Sequence, residues 1–519
     1  MLMAKRMSTE LHAMLEINAL LKIKVVGKGV DIKLSGRDLM FPPTPRAVGY
    51  GSTRRSRDDS FITNMSTIPL IIDGEDVLLP HDRHGTVANA YAEGPILYQG
   101  ATKELALQAA QSSAQAFAAW SKTTPIERRT LLFNLAEVLR SRAEEIKRVC
   151  DQEISCGPLW AEIITNGAIG MIEEYGALTT SIATGSLPFI QNGYGLVLKE
   201  PLGVVLGIAP WNAPIILGLR AVVAPIAAGN VAILKASRSV ITTDRRRIID
   251  LLTGDAPEIF DVLINHPDIK KCNFTGSTHV GRIIASQAAL ALKPVLLELG
   301  GKNFTVVLDD ADLDLAAQEI TKGAFLNNGQ ICMSTDKVLV TTAVAPALEA
   351  KILAILRSIN TTSVLISPSA KAKVESLVSD ARDKGAQIHT SPTTVNHDVS
   401  DRSFPPTVVT GLTPEMKLFE IETFGPVVGI VLVETEEKMT AIMQAANYGL
   451  SSSIISRNHY RALKLAGAIQ AGAVHINSMT VHDEPTLPHG GYGDSGWGRF
   501  GARWGLEEFV QTKVVTLHQ

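Results

Sequence analysis

The sequence predicts an α/β protein, and three patterns carry that prediction. Between Leu196 and Leu299 short apolar strands alternate with helical stretches, the pattern of a parallel sheet covered by helices. Ahead of that region, Ala101 to Leu178 repeats its apolar residues at helical spacing, and beyond Val338 the chain returns to α/β alternation. With 519 residues, 45% of them apolar and 19% charged, the chain can bury a large core and divide into two or three domains.

In chain order, residues 1–66 read as an N-terminal extension, disordered rather than folded. They are rich in Lys and Arg, lack sustained periodicity and carry Pro42-Pro-Thr-Pro45. A mitochondrial presequence would also be basic, but Glu10, Glu16 and Asp31 sit badly in one, so the expected location is cytoplasmic with the mitochondrion as the alternative. Two core helices follow between Ala101 and Val149, separated at Pro125, with Leu105, Ala109, Ser112 and Ala116 on one face and Leu131, Leu135, Val138 and Leu139 on the other. Trp160 to Leu178 gives a third. Leu196 to Ala209 reads as β structure broken at Pro201-Leu-Gly203.

An apolar helix then runs to Ala228, and a strand spans Asn230 to Leu234. Helices are expected over Arg245 to Leu252 and Ala256 to Ile264, a strand over Lys271 to Phe274, a helix from Thr278 and a strand over Pro294 to Leu299. Past that point come strands at Val338 to Val340 and Val427 to Val433, helices near Leu348 and Val374 and over Ala441 to Ala446, and a final strand over Val510 to His518. Asp309 to Asp314 gathers acids, but the spacing fits a helix N-terminus rather than a calcium loop, and no metal site is expected. Pro201 to Leu219 is uncharged and long enough for a bilayer, yet its prolines break it, so no membrane span is expected. A net charge of -3 offers no field for nucleic acid. Four cysteines without framework spacing read as reduced thiols.

Two motifs carry chemistry. Glu298-Leu-Gly-Gly-Lys302 places a carboxylate beside glycines, and Asn328-Gly-Gln-Ile-Cys332-Met-Ser334 places a thiol 34 positions later. A thiol attacks carbon as thiolate, and a nearby carboxylate can take its proton or activate a water, so the pair points to covalent catalysis. Taken singly, Cys332 would pass for a small buried apolar side chain and Gly300-Gly301 for a tight turn. Joined in order by Pro210-Trp-Asn-Ala-Pro214, Phe274-Thr-Gly-Ser277 and Glu422-Thr-Phe-Gly-Pro426, they resemble the aldehyde dehydrogenase superfamily from about residue 67 to the C-terminus. The segments Ile476 to Thr480 and Gly491 to Arg499 look closest to members that oxidise salicylaldehyde and related aromatic aldehydes.

The resemblance implies a Rossmann-like cofactor domain (67–186 and 209–297), an α/β catalytic domain (298–490) and a small β oligomerisation element (187–208 and 496–519), assembled as a homodimer or homotetramer. It implies that Cys332 attacks the aldehyde to form a thiohemiacetal, that Asn212 and the Cys332 N–H stabilise the oxyanion, and that Glu298 is the general base for hydrolysis of the thioester. Beside the apolar Leu296, Leu297 and Leu299, the Glu298 carboxyl is expected to have a raised pKa. For NAD or NADP the resemblance implies Ile208, Pro210, Trp211, Lys235, Ser237, Arg238, Gly276, Ser277, Thr278, Gly281, Leu299, Glu422 and Phe424. Gly276 to Gly281 opens a helix just after a strand, where free N–H groups favour phosphate. An ordinary Ser/Thr cap is the plainer alternative.

Three departures stand out. Arg238 replaces the Glu that disfavours a 2'-phosphate, so charge argues for NADP while family frequency argues for NAD. Lys235 and Phe274 are 39 positions apart, about a dozen fewer than usual in the family, a loss that falls on one strand and threatens the adenine pocket. Gly493 stands where the family has Lys. A working NAD(P)-dependent aldehyde dehydrogenase is therefore set against a non-catalytic binding or structural member with an impaired cofactor domain. A cofactor-independent thiol hydrolase, resting on Cys332 alone, comes last.

Overall fold

In the computed structural model the described residues are 67–79, 84–87, 96–182, 184–237, 249–392 and 401–518. Residues 1–66, Arg238 and the first part of the stretch expected as a helix over Arg245 to Leu252 fall outside them. Two sheets organise the unit that runs from Pro69 onward.

The first has eight strands in the order Glu75–Val77, Leu70–Ile72, Ile249–Leu252, Val231–Lys235, Val204–Ile208, Ile269–Thr275, Val295–Glu298 and Gly496–Trp497. Its centre is parallel, and its outermost pairs are antiparallel. Val204–Ile208 feeds Val231–Lys235 on one side through the helix Pro214–Ala227, while Ile269–Thr275 lies on the other. The order reverses there, and in such sheets a ligand crevice opens beyond the carboxyl ends of the strands at the reversal. Those ends are Ile208 and Thr275, leading into Pro210-Trp211-Asn212 and Gly276-Ser277.

The shortened interval is repaired within this sheet. Ile249–Leu252 is a strand, not the expected helix: Leu251 faces Leu234 on one side and Ile71 on the other. An Ile-Asp-Leu-Leu tetrapeptide has little helical commitment of its own. Here it fills a gap that would otherwise leave the Val231–Lys235 edge without backbone partners.

Three helices, not two, occupy the stretch after Ala101: Lys103–Trp120, Pro125–Ser141 and Ala143–Ile154. Thr124 and Glu127 form a reciprocal capping box ahead of Pro125, which sits where its missing N–H costs nothing. The break falls at Arg142, whose backbone leaves helical geometry. The buried stripes are Leu105, Ala106, Ala109, Ala110 and Ser113 on the first helix and Arg128, Leu132, Ala136 and Leu139 on the second. Each lies within a residue or two of the expected face. The long helix Gly157–Ile182 lies against both Pro125–Ser141 and Pro214–Ala227.

The second sheet has seven strands, Gln387–Thr390, Thr407–Thr410, Val427–Val433, Lys337–Thr341, Phe304–Val307, Ser451–Ile455 and Ala473–Ile476, parallel except for the first pair. Apolar clusters cover both of its faces, as an internal parallel sheet requires. Asp312 caps the helix Leu313–Phe325, accepting from the N–H groups of Asp314 and Leu315. The last strand, Val510–His518, pairs along its whole length with Gly193–Pro201, beside Phe189–Ile190. Residues from 496 on thus supply both an edge of the large sheet and this small one. Among the described residues no helix is long and apolar enough to cross a membrane.

Candidate active site

Glu298 is the last residue of its strand, held in register against Thr275 on one side and Gly496 on the other, and its side chain is fully buried. Cys332 lies on a loop after the 3-10 turn Leu326–Gly329, in which Asn327 and Asn328 both adopt the left-handed conformation that Asn tolerates best among side chains. Several bonds fix that loop. Asn303 Nδ2 donates to the carbonyls of Cys332 (2.8 Å) and Ser334 (3.0 Å), and Thr480 Oγ1 donates to Met333 (2.6 Å). The Cys332 thiol comes close enough to the Glu298 carboxylate for each to shift the other's protonation, joining the two motifs.

Asn212 follows the strand Val204–Ile208. Its Nδ2 donates to the Gln330 carbonyl (3.1 Å), two residues before Cys332, and its own carbonyl accepts from Trp160 Nε1 (2.9 Å) and Asn327 Nδ2 (3.0 Å). The three residues singled out for chemistry therefore share one floor between the sheets.

Electrostatics there differ from the sequence expectation. Burial pushes the Glu298 carboxyl up, but Arg220, His489 and the Cys332 thiol together outweigh it and bring it down to about 2, so the raised pKa expected from its leucine neighbours is wrong. Arg220 Nη2 lies 2.5 Å from Glu298 Oε2, and both side chains are almost wholly shielded from solvent. The charge that decides the matter sits on another element, where the leucines flanking Glu298 give no hint of it. The thiol moves the opposite way: burial, then the nearby Glu298 charge, raise Cys332 well above its ordinary value. At rest the site holds a neutral thiol beside an anionic carboxylate, a pair one proton transfer from the nucleophile.

Sequence reading missed Arg220, His489, Asp483 and Asn303. Arg220 did leave a signal, being the sole charge in the apolar helix Pro214–Ala227, where a buried cation needs a buried partner. His489, within Pro488-His-Gly-Gly491, gave none.

The residues implied for a dinucleotide, apart from Arg238, which lies outside the described residues, come from the carboxyl ends of the strands at the sheet reversal, from the segments that follow them and Glu298, and from the turn that carries Glu422 and Phe424. Ile208 and buried Lys235 end adjacent parallel strands and face each other in register, and Ser237 follows half-buried. Pro210 and Trp211 leave the first of them, and the Trp211 ring meets Phe424 edge-on at 5.7 Å. Gly276, Ser277 and Thr278 form the entry to the helix Thr278–Leu290. The Ser277 hydroxyl caps that helix through Val280 N–H (3.4 Å), the plainer alternative, and the Thr278 hydroxyl donates to Asp494 O (3.2 Å). Gly281 abuts Leu299, where a Cβ would meet the leucine side chain at 2.4 Å.

Glu422 accepts from Gly301 N–H (3.1 Å), and a Cβ on Gly300 would lie 2.7 Å from its carboxylate, so this close approach requires glycine. Burial first, and Asp336 second, raise the Glu422 carboxyl to about 7. Lys302 of the same motif pairs with Asp336 (3.1 Å), and Asp336 accepts from Thr423 N–H (3.3 Å), holding the turn that presents Glu422 and Phe424. Phe424 itself has φ 52, a strained left-handed conformation for a bulky residue. A half-buried acceptor, two rings at the mouth and a helix N-terminus along one crevice fit a nicotinamide dinucleotide.

A model of the aldehyde dehydrogenase family matches residues 83–515. The chain is 36% identical over 480 residues to a vanillin dehydrogenase of Pseudomonas fluorescens, covering 87% of this chain and 98% of that one. A salicylaldehyde dehydrogenase from Pseudomonas putida G7, solved with salicylaldehyde, superposes with TM-score 0.82 at 30% identity, covering 87% of this chain and 98% of that one. An NAD-dependent aldehyde dehydrogenase from Sinorhizobium meliloti does so with TM-score 0.82 at 29% identity, covering 88% and 95%.

Proposed function

The chain belongs to the aldehyde dehydrogenase family, as an NAD(P)-dependent enzyme that oxidises aldehydes to acids, and we propose that its substrate is an aromatic aldehyde of the vanillin or salicylaldehyde kind and that Cys332, Glu298 and Asn212 do the chemistry. The observation that carries this reading is the approach of the Cys332 thiol to a fully buried carboxylate that lies 34 residues away in sequence. Nothing in core packing calls for a thiol and an anion to meet there.

The reaction follows from what each group can give. As the thiol proton moves to Glu298, the Cys332 sulfur bonds the aldehyde carbon, and the oxyanion that forms takes hydrogen bonds from the Asn212 amide and the Cys332 N–H. Loss of one such donor costs about 3 to 4 kcal/mol of barrier. A bound nicotinamide dinucleotide supplies the hydride acceptor, with Lys235, Ser237, Glu422 and Phe424 among the residues that hold it. Cys332 is left carrying a thioester, and Glu298, once it has given up the thiol proton, accepts one from the water that hydrolyses the thioester and returns it to the departing sulfur, releasing the acid and restoring the thiol.

The same reading includes a division into a cofactor-binding part (67–186 and 209–297) and a catalytic part (298–490), a cytoplasmic enzyme and a homo-oligomer. The four cysteines are free thiols, consistent with a reducing compartment. For the oligomer the support is apolar exposure on the three-stranded sheet, where Phe189, Val514 and Leu517 face solvent. Sedimentation as a monomer would overturn that part.

NAD is the preferred cofactor of this reading. The whole is tested by mixing purified protein with vanillin, salicylaldehyde or benzaldehyde and either dinucleotide while following reduced nicotinamide by absorbance. Turnover that Cys332→Ala abolishes is expected; well-folded protein inactive on all three would refute the aromatic assignment.

A further inference from the structure

The clamp on Glu298 creates a difficulty that neighbouring residues resolve. A carboxylate bonded to Arg220 holds a proton poorly, yet the thiol and the hydrolytic water each deliver one to it, so the proton needs somewhere to go. Building on the assignment of Glu298 as base, we propose that His489, backed by Asp483, is the positioning residue that draws protons off Glu298 and passes them to the adjoining cavity.

The geometry is directional. Oxygen Oε2 of Glu298 is taken by Arg220, while Oε1 is buried without a hydrogen-bond partner. Facing it at 3.6 Å is His489 Nε2, also buried and without one. Two complementary polar atoms left unpaired a few tenths of an ångström beyond bonding range are costly in a packed interior unless they are used. On the other side of the ring, His489 Nδ1 lies 3.6 Å from Asp483 Oδ2. Asp483 is partly exposed, also takes Arg220 Nη1 at 3.4 Å, and lines a cavity with Gly167, Met171, Ile216 and Pro485. The imidazole is held from behind by reciprocal backbone bonds between His489 and Phe500, both 2.8 Å.

The other ionisable groups around this line are Tyr175, whose hydroxyl accepts from Gly501 N–H, His475 on the neighbouring strand, Glu484 on the cavity wall and Cys332 behind Glu298. Among the described residues, His489 is the group that touches both the free oxygen of Glu298 and an acid bordering the cavity.

The proton steps balance. With the proton on Nδ1, toward Asp483 at 3.6 Å, the Nε2 lone pair faces Glu298. In the attack the thiol S–H breaks, its sulfur bonds the aldehyde carbon, and the proton goes to Glu298 Oε1. His489 Nε2 takes it, giving an imidazolium paired with Asp483, and the Nδ1 proton then leaves through Asp483 to the cavity. Glu298 is again anionic beside Arg220, ready to take the proton of the hydrolytic water as its oxygen bonds the thioester carbon and to return that proton to the Cys332 sulfur as the C–S bond breaks. Imidazole suits this because it exchanges protons near neutral pH.

Three His489 variants and Glu298→Gln decide the matter, each assayed with an aromatic aldehyde and saturating dinucleotide across pH, with melting and NADH binding as controls. His489→Phe and His489→Gln are expected to lose about ten-fold or more in kcat, with KM little changed and the acidic limb of the pH profile altered. His489→Ala is expected to regain several-fold in kcat with added imidazole, less with the weaker base 1,2,4-triazole. A purely structural histidine would be served by Gln and indifferent to added base. Wild-type kcat and pH profile in His489→Gln, or no imidazole response in native-like His489→Ala, overturns the relay; if the Ala variant does not fold, the Gln and Phe profiles decide. Glu298→Gln separates the two ideas: if it is inactive while the His489 variants are normal, only the relay falls, and if it is fully active the base assignment falls as well.

Discussion

Replacing Arg220 by Met removes the guanidinium and keeps most of the aliphatic bulk, which makes it the sharpest test of the electrostatics at Glu298. In the native protein Glu298 is fully buried and its pKa is depressed from 4.5 to about 2. A carboxyl held below its unfolded value adds stability that is fully present above that value and lost as pH falls through the folded one. At about 1.4 kcal/mol per pH unit, the contribution here is about 3 kcal/mol above pH 4.5, and it does not vary between about pH 5 and pH 8. Without Arg220 the sign reverses. Burial is the largest influence on this group, and with the largest opposing charge gone it is expected to outweigh what His489 and the Cys332 thiol still supply and to carry the folded pKa above 4.5. The variant then gains from protonated Glu298 at low pH and loses that gain as pH rises through the same window. Losing one partner of a buried pair costs about 3 to 5 kcal/mol in all. The pH-independent part includes the lost stacking of Arg220 over Phe500, at 4.9 Å. The assay is the denaturant midpoint at several pH values for wild type, Arg220→Met and Arg220→Lys. The expected result is a gap between wild type and Arg220→Met that widens with pH, with Arg220→Lys running nearly parallel to wild type. A gap for Arg220→Met that stays constant from about pH 5 to pH 8 would refute the assignment of Arg220 as the charge that holds Glu298 anionic.

Other expectations are more direct. Iodoacetamide labelling of Cys332, read by mass spectrometry, should be slow at neutral pH and climb without a plateau to about pH 9, because burial and the Glu298 charge raise that thiol. Glu298→Gln should speed it at fixed pH, and a slower rate would contradict the coupling. Cys150 and Cys272, pushed up to about 12 by burial, should stay unlabelled in the folded protein. Because Glu422 titrates at about 7, NADH affinity should weaken as pH falls through that value and become flat with pH in Glu422→Gln, as fluorescence titration can show. Leu251→Ala, which empties a buried site in the repair strand between Leu234 and Ile71, should lower stability by about 2 to 5 kcal/mol; a loss under about 1 kcal/mol would mean the strand is not packed as described.

How far the molecule could be read from its sequence depended on where the deciding partner lay. Helices and strands written as long periodic stretches, such as Pro214–Ala227 and Val427–Val433, were readable because the pattern itself encodes the buried face. Ile249–Leu252 was not, since its conformation is set by Val231–Lys235 and Leu70–Ile72 on either side and not by its own four residues. The break at Arg142 likewise leaves no Pro or Gly to mark it. Cys332, Glu298 and Asn212 are proposed from their motifs, but the charge on Glu298 was misjudged by looking along the chain. Arg220, on the helix Pro214–Ala227, lies 78 positions upstream and His489 far downstream, and each reaches the carboxylate only through contacts across the fold. Chain neighbours predicted desolvation, whereas contacts across the fold supplied the charges that override it.

Arg220 and His489 act on one carboxylate in opposite senses, and that yields a test of the two together. Arg220 makes Glu298 a poor proton store, so that the proton must be drawn off by His489; remove Arg220, and burial makes Glu298 able to keep the proton through a turnover. The cost of losing His489 should then depend on whether Arg220 is present. If His489→Phe lowers kcat about ten-fold in the wild-type background, it should lower it by clearly less in the Arg220→Met background, so that the double variant is faster than the product of the two single effects predicts. Equal effects in both backgrounds would mean that the two side chains do not meet at Glu298 during turnover. An effect larger in the Arg220→Met background would mean that His489 mainly replaces lost positive charge, a role its distance of 3.6 Å from Glu298 would also allow. The sign of the coupling therefore distinguishes a proton carrier from a second counter-charge, two roles that the static geometry alone would equally permit.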